Sequence, residues 1–203
     1  MRIILFVSIL IVFGSTINGF PGMEAGISAL REGRYDDALK ELKEDGSPAA
    51  HALIGDMYKE GKGVPRDRLE AFKWYEKAAM GGDARAKFNL GLMYEGGLGV
   101  KEDKRKAAEW YLDAAEEGYA PAQNNLGVLY FKGEGVAKDI AESTRWYIKA
   151  ANQGIPASQF NAGVKYYKGE GVRQDKDEGL KWLHKAAANG YLPAIEALKK
   201  LGY

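Results

Sequence analysis

From Ala84 onward, small and apolar side chains return every three or four positions, at Ala86, Leu90, Gly91 and Tyr94. This is the spacing of one buried helical face and predicts a helix over roughly residues 85–94. A Gly97-Leu98-Gly99-Val100 turn follows, and a second run at Ala107, Trp110, Tyr111, Ala114 and Ala115 predicts another helix, stopped at Gly118. The pattern then repeats with a period of 36 residues. Gly55, Gly91, Gly127 and Gly163 share one register, as do Tyr58, Tyr94, Tyr130 and Tyr166, then Asp67, Asp103, Asp139 and Asp175, then Trp74, Trp110, Trp146 and Trp182. Self-similarity at such a period marks a stacked array, in which each unit buries its apolar face only against its neighbours. The expected units are 48–83, 84–119, 120–155 and 156–191, preceded by a capping hairpin over 20–47 and followed by a capping helix over 192–203.

Within a unit, each repeated residue has a structural reading. Glycine inside a helix is about 1 kcal/mol less favourable than alanine. Its return at Gly55, Gly91, Gly127 and Gly163 therefore implies a close helix approach, with Ala78, Ala114, Ala150 and Ala186 as the expected partners. The paired loop glycines, as in Gly133-Glu134-Gly135-Val136, permit positive φ and let the valine return to the core. They do not form a phosphate loop, because no strand precedes them and no Lys-Ser/Thr follows. The aspartates three residues later read as N-caps. Glu70, Glu142 and Glu178 complete a capping box that Lys106 breaks in the second unit. Trp74 and its counterparts alternate with small residues and read as core knobs directed at the next unit's first helix, not as a ligand pocket. Gly82, Gly118, Gly154 and Gly190 read as left-handed helix stops.

The ends differ from the middle. Ile27, Leu30, Tyr35, Ala38, Leu39 and Leu42 around a Glu32-Gly33-Arg34 turn predict a tighter hairpin over 23–44. The final helix, 193–201, carries Lys199 and Lys200 where a full unit has Gly163 and Val164, as a solvated cap requires. Met1 to Gly19 is different in kind: Arg2, an apolar run from Ile3 to Phe13 broken by Ser8, then small and polar residues. It reads as a secretory signal peptide cleaved after Gly19, because eleven apolar residues fall short of the ~20 needed to span a bilayer. An uncleaved anchor is the alternative.

Charge and composition narrow the function. Removal of Arg2 takes the 29 Lys and Arg to 28, equal to the 28 Asp and Glu. A neutral, interspersed surface offers no field for nucleic acid or anionic lipid, and no stable membrane insertion is expected after cleavage. There is no cysteine, so an exported array must be held by packing alone. The two histidines, His51 and His184, lie in distant units, and no Ser-x-x-Lys, Gly-x-Ser-x-Gly or His-Glu-x-x-His occurs. No catalytic, metal or cofactor site is therefore expected, and the chain reads as a non-enzyme.

The run Ala122-Gln123-Asn124-Asn125-Leu126-Gly127-Val128-Leu129-Tyr130, with Gly133-Glu134-Gly135-Val136, Asp139, Trp146-Tyr147, Ala150-Ala151 and Gly154, resembles the Sel-one-like repeat (SLR) family, a relative of the tetratricopeptide repeats. The resemblance covers Pro48 to Tyr191. It implies an all-α fold, a right-handed α/α solenoid of stacked helical hairpins, acting as an adaptor for a protein or peptide. By analogy with tetratricopeptide arrays, the concave binding face would carry Phe88, Asn89, Leu92 and Glu95; Asn124, Asn125, Val128 and Phe131; and Phe160, Asn161, Val164 and Tyr167. Asn89, Asn125 and Asn161 share one register, and an amide could pair with the backbone of an extended peptide or simply bond locally. The expectation is an exported monomer, periplasmic or secreted. A cysteine-rich branch of the family described as β-lactamase-like suggests the alternative, a cell-wall-active hydrolase, though this chain lacks that branch's cysteines.

Overall fold

A computed structural model describes residues 21–203; the leader sequence read over 1–19 lies outside them. The described residues form helices and no strand. A first hairpin, α1 (Pro21–Arg31) and α2 (Tyr35–Asp45), is followed by four two-helix units: α3 (Pro48–Glu60) with α4 (Arg68–Met80), α5 (Ala84–Gly96) with α6 (Lys104–Glu116), α7 (Ala120–Lys132) with α8 (Ile140–Asn152), and α9 (Pro156–Lys168) with α10 (Lys176–Ala188). The last helix, α11 (Leu192–Leu201), packs on α10, and every helix packs on its successor in sequence. The chain is thus an all-α solenoid built from nearest-neighbour contacts.

The inter-helix turns work as their chemistry requires. In the second unit Gly97 (φ 60) ends α5 in a left-handed cap, and its amide donates to the Met93 carbonyl. Gly99 is also left-handed (φ 79), and a Cβ there would lie 2.6 Å from the Arg68 backbone of the preceding unit. Consecutive turns therefore stack closely enough to exclude a side chain. The aspartates cap the second helices: Asp67 accepts from the Glu70 amide at 3.0 Å and Asp175 from the Glu178 amide at 2.9 Å. The reciprocal half of the expected capping box is absent. Glu70 and Glu178 instead pair with Lys73 and Lys181, and Glu142 with Arg145. Each aspartate amide donates back to a repeated tyrosine carbonyl, Tyr58, Tyr94, Tyr130 or Tyr166, at 2.9–3.0 Å. That bond satisfies the donor the box would have used, which is why Lys106 is tolerated in the second unit.

The core lies at the junctions between units. Phe72, Tyr75, Ala78 and Ala79 of α4 are buried together with Ala86, Leu90 and Met93 of α5, and Trp110 of α6 packs on the same cluster. One unit later, Tyr111, Ala114 and Ala115 join Leu126 and Leu129, closed by Trp146. The small residues thus face the next unit, as the pattern implied. The tryptophans face the other way, sealing the junction behind them. They are also less enclosed than uniform core knobs would be, since Trp146 and Trp182 are buried while Trp74 and Trp110 are half-buried. The exposed ring faces are covered by lysine ammonium groups one turn on: Lys77 over Trp74, Lys149 over Trp146 and Lys185 over Trp182, at 3.9–4.1 Å.

The helical glycines do permit close approach, but to the tyrosine one turn before the expected alanine. A Cβ on Gly91 would lie 2.5 Å from the Tyr111 ring, and one on Gly55 2.7 Å from Tyr75. In the fourth unit Gly163 meets Leu183 and the Gly179 carbonyl instead, each at 3.0 Å. Lying across bare backbone, the tyrosine ring carries its hydroxyl past the first helix. Tyr75 donates to Asp56 and Tyr111 to Glu95, both at 2.6 Å. Burial, reinforced by these carboxylates, raises both phenols well above their usual range; burial alone pushes Tyr147 up to about 12.

Asp56 also links two units. It accepts from Arg85 of α5 at 2.5 Å and from Lys59 at 2.8 Å. Burial opposes its ionisation, but Arg85 and then Lys59 more than offset this and hold the carboxyl below its ordinary value of 3.8. Stability from this group is therefore complete above pH 3.8 and lost as pH falls through the lower folded value. Urea-unfolding midpoints measured from pH 6 to pH 3 should fall more steeply for the native chain than for Asp56→Asn, and parallel slopes would contradict the assignment. Gly91→Ala should lower stability by about 1–2 kcal/mol, the overpacking against Tyr111 exceeding the gain in helix propensity. Gly96→Ala, whose methyl would meet only the Leu98 side chain at 3.2 Å, should stay within about 0.5 kcal/mol. Thermal melts of the two variants check this.

Candidate functional site

The two helices of each unit present different surfaces. On α8, Arg145, Lys149 and Asn152 are exposed, and on α6 so are Arg105, Lys106, Glu109 and Asp113. Along the interior of the first helices, α5 and α7, side chains are buried or half-buried, with full exposure appearing only in the last residues. The first helices are therefore the more enclosed layer, and their half-buried stripe is a partly desolvated surface of the kind that recognition uses.

The structure places the twelve sequence-derived candidates on this stripe with unequal access. On α5, Phe88 is half-buried, its ring 5.6 Å from Tyr111 and 5.3 Å from Tyr119. Asn89 is only 8% exposed. Leu92 packs on the junction core, and Glu95 is occupied by the Tyr111 hydroxyl. On α7, Asn124 accepts from Ser158 of the next unit at 2.8 Å and donates to Asn125 at 3.2 Å. Asn125 and Val128 are half-buried, and Phe131 is 42% exposed with the Lys165 ammonium 4.3 Å from its ring centre. On α9, Phe160 stacks at 5.5 Å on Tyr191, while Asn161, Val164 and Tyr167 are half-buried and Lys176 lies 5.6 Å from the Tyr167 ring. The accessible part of the set is thus Asn125, Val128 and Phe131 with Asn161, Val164 and Tyr167.

Several polar residues escaped the sequence reading. Asp56 stands in the register of Leu92, Val128 and Val164, so a lone carboxylate at an otherwise apolar repeat position was the available signal. Gln123 and Gln159 are buried and donate to the Ala115 and Ala151 carbonyls at the end of the preceding unit. They are met in turn by Gln153 and Asn189 at 2.9 Å. In the second unit the same relation is an ion pair, Lys87 with Glu117. Lys165 is only 5% exposed where other units carry methionine or leucine, and its ammonium reaches Glu170 at 2.6 Å. The hydrogen bond from Lys165 holds the Glu170 carboxyl below its usual range.

The histidines stay apart. His51 lies 5.4 Å from Trp74, its pKa lowered by burial and then by Lys77, while His184 is exposed near Tyr203. Among the described residues no cluster of His, Cys, Asp and Glu could hold a metal ion, and no helix is long and apolar enough to cross a membrane.

This architecture has known counterparts. The Sel1 repeat family matches residues 48–83, 84–119, 120–155 and 156–191. A Sel1 repeat protein from Oxalobacter formigenes superposes with a TM-score of 0.78 at 35% identity, over 83% of this chain and 70% of that one. A protective antigen of uropathogenic Escherichia coli strains with an SLR fold gives 0.79 at 34% identity, over 85% of this chain and 38% of the antigen. The cysteine rich protein B of Helicobacter pylori shares the fold alone, with a TM-score of 0.53 at 23% identity over 65% of this chain and 95% of that one. No functionally curated protein matches the chain. The four matched units and the register of their repeated residues place this chain in the Sel1 repeat family.

Proposed function

We propose that this protein is an exported, non-enzymatic scaffold that holds a protein or peptide along the inner, concave face made by α5, α7 and α9. The Sel1 repeat fold generally serves as a protein-interaction scaffold, and the specific reading for this chain rests on one observation. Each of two consecutive first helices offers an accessible amide, an aliphatic residue and an aromatic in one register: Asn125, Val128 and Phe131, then Asn161, Val164 and Tyr167. Such a stripe supplies apolar anchoring from the rings and paired donor and acceptor groups from the amides, the combination an extended peptide backbone needs. Phe88 and Phe160 take part chiefly by fixing the stripe, because both rings are seated on tyrosines. Asn89 adds little, being nearly enclosed.

Export follows from the basic start, short apolar run and small-residue end of Met1 to Gly19. Neutral charge after cleavage argues for a partner recognised by shape and hydrogen bonding rather than by a strong field. The hydrolase alternative has the cysteine-rich relatives as its only support.

Photo-crosslinking checks the face. A benzoylphenylalanine placed at Phe131 or Tyr167 in expressing cells should trap a discrete adduct, while the same group at Lys149 on the outer helix should not. Equal trapping at all three positions, or trapping at Lys149 alone, would reject this face. The mass of the purified protein should correspond to a chain beginning at Phe20; a retained leader would instead support an anchor. Turnover of a chromogenic β-lactam by residues 20–203 would favour the hydrolase.

A further inference from the structure

One cleft in the array is charged in a way the repeat does not call for. It lies between the first two units, has a volume of about 430 Å³, and is lined by Lys59, Glu60, Arg66, Arg68, Met93 and Leu98. Two lining charges already have partners, Lys59 with Asp56 at 2.8 Å and Glu60 with Lys62 at 2.7 Å. Arg66 and Arg68 make no ion pair among the described residues, and both are exposed.

The neighbouring units show what is missing. One period on, Lys104 stands in the register of Arg68 and Glu134 in the register of Leu98, and these two pair at 2.9 Å. A further period on, Glu170 holds Lys165 at 2.6 Å and Lys168 at 3.7 Å. The turn acid, which neutralises a cation across the second junction and two lysines of its own unit after the third, is thus replaced at the first junction by Leu98, while Arg68 is kept. The exchange removes a carboxylate and adds an apolar wall beside the buried Met93. What remains is a pair of guanidinium groups, suited to bidentate pairing with a planar carboxylate, next to a surface that favours a hydrocarbon group.

We propose that this cleft captures a carboxylate carried on an apolar group, supplied by the C-terminal residue of a bound peptide. The carboxylate chemistry stands on the cleft alone; only its peptide source rests on the reading of the first-helix face. Lys59 stands in the register of Glu95, Phe131 and Tyr167, so the cleft adjoins the end of that stripe in the first unit and could receive a chain terminus emerging from it. An inorganic phosphate would satisfy the arginines but leave Met93 and Leu98 unused.

The test is a titration of residues 20–203, which include all eleven described helices, followed by amide NMR shifts. N-acetyl-leucine should give saturable shifts at Arg66, Arg68, Met93 and Leu98, and N-acetyl-leucinamide should bind at least tenfold more weakly. Leu98→Glu, which restores the acid of the later units, should reduce N-acetyl-leucine binding at least tenfold. If that variant folds poorly, the exposed double variant Arg66→Gln with Arg68→Gln should show the same loss with helicity unchanged. Equal binding of acid and amide, binding of inorganic phosphate as tight as that of N-acetyl-leucine, or shifts confined to other regions would each overturn the assignment. The triple variant Asn125→Ala, Phe131→Ala, Tyr167→Ala should bind N-acetyl-leucine normally, and loss of binding there would move the site out of the cleft. Because the probe contains no peptide chain, this result and the crosslinking result can fail independently.

Discussion

A tyrosine ring lies across a bare stretch of helix backbone in three consecutive units, and the spacing of the solenoid depends on that contact. With a Cβ, Gly55, Gly91 or Gly127 would stand 2.5–2.9 Å from Tyr75, Tyr111 or Tyr147, closer than packed atoms approach. Without it, the ring fills the space between the paired helices, and its hydroxyl can reach a carboxylate beyond the first helix, as at Asp56 and Glu95. The glycine is unfavourable to the helix but is offset by burial of a whole phenol ring, the larger of the two effects. In the fourth unit, with Leu183 for tyrosine, a Cβ on Gly163 would still stand 3.0 Å from the Gly179 carbonyl of the second helix, so the close approach is kept.

Given that spacing, each unit must still be joined to the next, and the joints are chemically varied where the cores are uniform. The core at each junction uses the same alanines and a tryptophan reaching backward. The polar links differ: a half-buried Asp56 with Arg85 in the first joint, an ion pair between Lys104 and Glu134 in the second, and Ser158 donating to Asn124 in the third. Each bridges two units by different chemistry at a different place, because the demand is for satisfied polar groups across the joint and not for a particular charge. Variation at such positions leaves the stack intact, and so leaves a nearest-neighbour fold free to differentiate its units.

That freedom is where recognition can arise. The second helices spend their variable positions on solvated charge, with lysine ammonium groups over tryptophan faces. The first helices spend theirs on amides and rings held half out of water, and the first junction spends its turn acid on a leucine.

How much of this was legible in sequence follows the same division. The period, the two helices per unit, the Asp67-type caps and the positive-φ glycines were readable because each is a local property: a spacing, a short side chain accepting from a nearby amide, a backbone angle open to glycine. Three expectations went astray where the answer lay in another helix. Tyr111 rather than Ala114 meets Gly91, the tryptophans face backward, and the Asp amides bond to tyrosine carbonyls instead of closing a box with Glu70, Glu142 and Glu178. Asn89 and Asn125 share a register, yet one is nearly enclosed and the other half-open. The sequence by itself determined an array of stacked helical pairs, since periodicity is written along the chain. Only the tertiary structure decided which side chains meet across each joint and which remain open to a partner, because those depend on distances between helices that no single stretch of sequence contains.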